Sequence, residues 1–249
     1  MLWYRSWLET RWRFVIGLVL LLLSAAGAVI SYPEVVRLLP LADTVRVSGE
    51  IGRRIRESAA LAHDYRGYIW SQWIREELCQ MGTLFAVLLG TGGLLAQRSM
   101  LFTLSLPVSR RRVVGVRAMT GLGQLLILLL LPPMLIPLLS PSIGQSYRLG
   151  DVLAYVLCAF VAASVFFSLA FLLSTLFADV WRPMLIALGV AMLIGIAEQL
   201  GRRHGLFAVM SAESWFRSGA LPWIGLLVSA ALSTAMQYAA AANIARRDF

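Results

Sequence analysis

Apolar and polar positions alternate along this chain in long blocks rather than at short periods. Six predominantly apolar stretches stand out, at about residues 14–30, 78–96, 114–139, 152–177, 184–200 and 223–244. At 1.5 Å rise per residue, about 17–25 residues span a hydrocarbon core of about 30 Å. The pattern predicts an all-α integral membrane protein with six transmembrane helices, the whole chain, 1–249, forming a single transmembrane domain. Arg5, Arg11 and Arg13 precede the first stretch and Ala25-Ala26-Gly27-Ala28 closes it, an order shared with cleavable signal peptides. The run exceeds a typical signal core and further spans follow, so an uncleaved span is expected.

The flanking segments carry patterns of their own. At 100° per residue Trp3, Tyr4, Trp7, Leu8 and Trp12 share one half of a helix, broken only by Arg11; Arg5, Ser6, Glu9, Thr10 and Arg13 share the other. This predicts an N-terminal interfacial helix with Trp at headgroup depth. Residues 32–76 form the longest polar segment. Within it Val47, Ile51, Ile55, Ala59, Ala62, Ile69 and Trp73 follow a helical stripe, with Arg53, Arg54, Glu57 and Asp64 elsewhere. The expectation is an amphipathic outer segment between spans one and two, too short and charged to support its own core. Pro132, Pro133 and Pro137 crowd the end of the third stretch and predict a kink or break there. Residues 202–221 read as a second outer segment containing a short helix.

Composition sharpens the class. The chain is 59% hydrophobic with mean hydropathy +0.76, above the roughly 45–50% apolar content of soluble domains. All 22 basic residues are Arg. A phosphate-binding P-loop requires Lys, as does Schiff-base chemistry, so neither is available. Any ATP used must be hydrolysed by another chain, and no enzyme activity or cofactor is expected here. Net charge +9 raises nucleic acid as a partner, but the Arg residues cluster beside apolar stretches, the pattern of charge orienting a protein against anionic lipid. Cys79 and Cys158 fall in or beside apolar runs and read as small buried hydrophobes, not as a disulfide framework or metal site. Motifs of the His-Glu-x-x-His, Gly-x-Ser-x-Gly and Cys-x-x-Cys kinds are absent.

Orientation follows Arg density. Segments 1–13, 97–117, 178–183 and 245–249 hold 11 Arg in 45 residues, whereas 31–77, 140–151 and 201–222 hold 11 in 81. The positive-inside rule then puts both termini in the cytoplasm, in a multi-pass protein of the inner (plasma) membrane. Glu198 is the one acid inside an expected span. One turn before Arg202 and Arg203, it reads as snorkelling or ion-paired, with a place on a transport path as the alternative. Gln124 and Gln237 read as packing between helices, or as lining a path. Gly90-Thr91-Gly92-Gly93 permits close helix approach or local unwinding. The rows Ser164/Ser168, Ala170/Ser174 and Gly225/Ser229/Ser233 suit tight helix contacts.

The segment from Arg98 to Arg112 is a basic loop between two uncharged stretches. Burying Arg110, Arg111 and Arg112 at mid-membrane would cost roughly 8–10 kcal/mol, so they mark one membrane face. Thr103-Leu104-Ser105-Leu106-Pro107-Val108-Ser109-Arg110, together with the ending Ala245-Arg246-Arg247-Asp248-Phe249, resembles the permease subunits of type-2 ATP-binding-cassette (ABC) exporters. The stretch Gln97-Arg98-Ser99-Met100-Leu101-Phe102 departs from that family, many of whose members carry acids and a Gly there. The resemblance implies a half-transporter: a second permease subunit, identical or paralogous, and cytosolic ABC ATPase subunits as partners. It further implies that residues 97–113 form the ATPase-coupling loop, with Thr103, Leu104, Leu106, Pro107, Val108, Ser109, Arg110, Arg111 and Arg112 as contact residues. The competing readings are an ATP-independent secondary transporter or channel, and a non-transporting membrane scaffold.

Overall fold

The structure is a computed structural model and describes residues 2–44, 60–91, 110–177, 179–201 and 205–246. Among them every regular element is helical. Helix α1 spans Leu2–Thr44. A second continuous helical stretch is made of α2 (Tyr65–Tyr68), a ten-residue π-helical segment (Ile69–Leu78) and α3 (Cys79–Gly90). Helix α4 (Arg110–Leu139) ends in a 3-10 turn (Ser140–Ile143), and α5 spans Leu149–Leu176. Then come α6 (Trp181–Gln199), two short helices α7 (Leu206–Met210) and α8 (Glu213–Ser218), and α9 (Trp223–Arg246). Five of these, α1, α4, α5, α6 and α9, are long and apolar enough to cross a bilayer, which makes this an all-helical, membrane-embedded protein.

Contacts along the helices fix their directions. Tyr32 meets Tyr65, the Trp73 indole donates to Ser24 Oγ at 2.9 Å, Gly17 faces Phe85, and Arg13 reaches Leu88. Stretch 65–90 therefore runs antiparallel to α1. Glu9–Arg117, Thr10–Gln124 and Gly17–Leu128 make α4 parallel to α1. Helix α5 returns beside α3, and α9 runs parallel to α5, with Ser164 against Ser233 and Thr175 against Asn243. The bundle thus has two ends. One gathers residues 9–13, 88–91, 110–117, 175–182 and 243–246, and is called here the Arg117 end. The other gathers 32, 65, 140–151 and 215–223, and is called the Asp151 end.

Helix α5 is the central element. Of its most apolar window 67% is buried, against 17% for α6 and 22% for α9, whose remaining apolar faces suit lipid or another subunit. Small residues set the closest approaches. A Cβ at Gly90 would lie 2.5 Å from the Phe167 carbonyl oxygen and 3.0 Å from Ala170 Cβ, so α3 and α5 touch backbone to backbone.

Three expectations change. The N-terminal interfacial helix is not a separate element: residues 2–13 are the first turns of α1, which continues without a break through Thr44. No helix breaker separates them, since the first Pro is Pro33. Residues 65–77, expected on the outer surface, are instead built into the bundle, with Ile69, Trp70, Trp73 and Ile74 at most 1% exposed. Their apolar positions are too large and too contiguous to be satisfied at a surface. The stretch 47–59 lies outside the described residues. Finally, α4 runs through Pro132, Pro133 and Pro137 and gives way only at Ser140. Ser140 Oγ donates to the Ile136 carbonyl at 2.7 Å and Ser142 Oγ to that of Leu139 at 2.7 Å, pairing carbonyls that the ending helix leaves open.

Candidate functional site

Two polar belts bracket the apolar slab. At the Arg117 end, Arg117 Nη2 lies 3.2 Å from Glu9 Oε2 and Thr10 Oγ1 donates to Gln124 Oε1 at 2.8 Å. Arg13 Nη1 donates to the Leu88 carbonyl at 2.7 Å, near the C-terminus of α3, where a cation meets open carbonyls and the negative end of the helix dipole. Three polar residues within two turns of α1 thereby tie it to α3 and α4. Gln124 is buried, and its Nε2 has no hydrogen-bond partner among the described residues. At the Asp151 end, Arg66 Nε lies 3.1 Å from Asp151 Oδ2, and the Trp215 indole donates to Asp151 Oδ1 at 3.0 Å. Tyr65 pairs with Ser140 Oγ at 2.8 Å and packs edge-on against Tyr147.

Between the belts lies a feature absent from the sequence reading. On stretch 65–90, Gln72, Arg75, Glu76, Glu77 and Gln80 are exposed, while Trp73, Ile74, Leu78 and Cys79 behind them are buried. Helix α1 serves as a ruler for their depth. Ser24, which accepts the Trp73 bond, is about 16 Å along the helix from Arg13 and about 15 Å from Glu34. Arg75, Glu76 and Glu77 therefore sit near the middle of the uncharged run of α1, at the depth of its most apolar residues. Charges at such depth face a water-filled cavity or another protein surface, because each costs about 2.5–3.5 kcal/mol against lipid. The π-helical turn adds to the case, since such segments in helices concentrate at functional places. This polar row is the candidate site.

The row is held by a scaffold that dips in from the Asp151 end. Trp70 donates to the Ser211 carbonyl at 2.9 Å and stacks on Phe216 with centroids 4.2 Å apart; Thr83 Oγ1 lies 3.6 Å from Met210 Sδ. Met210, Ser211 and Ala212 are buried, so the α7–α8 turn enters the bundle. Ala212 turns it in the left-handed region, φ 49°. Irregular backbone at this depth is tolerated because its polar groups are paired: Ser211 and Ala212 N–H bond back to Phe207 and Val209.

The residues singled out from sequence fall in three places. Glu198 caps the start of α7: its carboxylate accepts from Phe207 N at 3.0 Å and Ala208 N at 3.2 Å, a different use from snorkelling. Arg202 and Arg203 lie outside the described residues. Gln237 Nε2 donates to Ser168 Oγ at 3.0 Å, beside a 2.8 Å Ser168–Ser233 hydroxyl pair, in the α5–α9 seam that Asn243 and Thr175 extend. Gln124 joins α1 to α4. None of the three adjoins the polar row in a hydrogen bond. Of the expected coupling loop, Thr103, Leu104, Leu106, Pro107, Val108 and Ser109 lie outside the described residues, while Arg110, Arg111 and Arg112 begin α4 at the Arg117 end. Among the described residues no group of His, Cys, Asp and Glu is arranged to hold a metal ion.

Comparison with known protein families, with curated proteins and with solved structures finds no match for this chain.

Proposed function

We propose that this chain is the membrane-spanning permease subunit of an ATP-driven ABC exporter, working as one half of a transporter. Its second permease subunit faces the row Gln72, Arg75, Glu76, Glu77, Gln80, and a polar export path runs between the two. The observation that carries the reading is that row, three charges exposed at the depth of the apolar slab, where only water or protein can face them. In this reading stretch 65–90 is the sixth span, and the Arg117 end is cytoplasmic.

The Arg117 end supplies a mechanical route. The segment 92–109 joins α3, whose end lies beside Arg13, to α4, which begins about two turns before Arg117. A push on that segment by closing ATPases is passed to α3 and α4 directly and to α1 through Glu9, Thr10 and Arg13. The test reverses Arg110, Arg111 and Arg112 to Glu in the tagged full chain, purified from its native membranes. Single exposed pairs are each worth only about 0.2–1 kcal/mol, but reversing three turns attraction into repulsion. The triple variant should insert normally and lose copurification of a nucleotide-binding subunit. Retained association in the variant, or its absence from the unaltered chain, refutes the reading.

A second reading has its own support. Glu76 and Glu77 at depth are the kind of groups that ion-coupled secondary transporters use. Transport driven by an ion gradient without any ATPase, and abolished by Glu76→Gln or Glu77→Gln, would favour it.

A further inference from the structure

A cavity of about 290 Å³ opens at the Asp151 end, lined by Asp64, Arg66, Ser146, Tyr147, Arg148 and Asp151. Part of this lining is already spent. Asp151 accepts from Trp215 and pairs with Arg66, so those two charges cancel and brace the wall. The remainder is unspent. The Tyr147 hydroxyl, on the cavity wall, is buried and makes no hydrogen bond of ordinary geometry among the described residues; Tyr155, close to it and to Arg66, lies behind the wall and not on it. Tyr155 is 0% exposed, so bulk water does not satisfy it. Arg148 and Asp64 are exposed at the rim, and neither makes a side-chain ion pair or hydrogen bond with the described residues.

These leftovers specify a ligand. A phenolic donor and a guanidinium call for an anionic oxygen group. Asp64 calls for a cation on the same molecule, since a bare anion would meet its repulsion and a bare cation that of Arg148. Tyr32, Tyr65, Tyr147, Trp215 and the exposed Trp223 gather at this end, the side-chain types that mark headgroup depth. We propose that this cavity binds an ammonium-bearing phosphodiester, the headgroup of a phosphatidylethanolamine-type lipid. The phosphate takes the Tyr147 hydroxyl and Arg148, and the ammonium takes Asp64. The site lies apart from the polar row and does not depend on the transport reading.

The test titrates the purified full chain in detergent with short-chain phosphatidylethanolamine, short-chain phosphatidylglycerol and soluble glycerophosphoethanolamine, following the unfolding midpoint by tryptophan fluorescence. At about ten times Kd, phosphatidylethanolamine should raise the midpoint saturably by about 3–6 °C, and phosphatidylglycerol by less than half of that. Tyr147→Phe should weaken binding about five-fold, and Asp64→Asn with Arg148→Gln should remove most of the shift. An equal saturable shift with glycerophosphoethanolamine supports the same chemistry and makes a soluble zwitterion the ligand. Equal shifts from both lipids, no saturable shift from any of the three, or a full shift in the double variant would overturn the proposal. Where a variant folds poorly, the comparison of lipids on the unaltered chain decides alone.

Discussion

The polar row can be probed by asking what it touches in a membrane. In a background with Cys79 and Cys158 replaced by Ala, single cysteines are placed at Gln72, Glu76 and Gln80. Leu23 and Leu193, 65% and 67% exposed on apolar faces, serve as controls. If Arg75, Glu76 and Glu77 faced lipid, their cost at about 2.5–3.5 kcal/mol each would reach roughly 8–10 kcal/mol. Folded domains are stable by only about 5–15 kcal/mol in total, so such an arrangement would take most of that margin. Water or protein must therefore cover them. A thiolate forms readily only in contact with water, so a membrane-impermeant maleimide applied to intact vesicles reports the difference. Cysteines at 72, 76 and 80 should react at least ten-fold faster than those at 23 and 193, or cross-link between chains under mild oxidation. The reasoning fails if all three are as inert as the controls, and fails doubly if Arg75→Leu, Glu76→Leu and Glu77→Leu together raise the unfolding midpoint.

Two further outcomes are read from the unfolding midpoint. Glu198→Ala strips two backbone N–H groups at the start of α7 of their acceptor, which should cost about 1–2 kcal/mol and lower the midpoint by about 2–8 °C, with Glu198→Gln costing less than half as much. Gly205→Ala should cost about as much as Glu198→Ala, since its Cβ would displace the Glu198 carboxyl from those N–H groups; an unchanged midpoint in the Ala variants would remove the capping role. Burial, then the neighbouring Tyr155 and Asp151, push the Tyr147 hydroxyl well above the usual tyrosine value near 10, against an opposing pull from Arg66. The folded chain therefore holds this proton where the unfolded chain releases it. Tyr147 should add no pH dependence below about pH 10 and a decline in stability above it. The drop in midpoint between pH 9 and pH 11 should be smaller in Tyr147→Phe, and an identical drop would show that the group ionises freely.

What could be read from the sequence follows from what a bilayer demands. Contiguous apolar length is a one-dimensional property, so the runs of α1, α4, α5, α6 and α9 were legible in outline. So was the close approach at Gly90, because small residues on membrane helices have few other uses. The polar partners were not. Trp73 meets Ser24, and Glu198 meets Phe207 and Ala208, through distances in space that no local pattern encodes. Stretch 65–78 shows why the main site was missed. The spacing of Ile69 and Trp73 was enough to show one apolar face and one charged face, and both exist. Periodicity tells which residues share a face but not what covers it. A charged face beside an apolar one reads as surface wherever the charges are dense, and Arg75-Glu76-Glu77 is dense. What places it within the slab is the antiparallel pairing with α1, in which Tyr65 lies at the level of Tyr32 and Leu88 at the level of Arg13. The charges that made the segment look external are thereby the strongest sign of what it does: a helix that carries them to that depth needs a second surface, of protein or of water, to face.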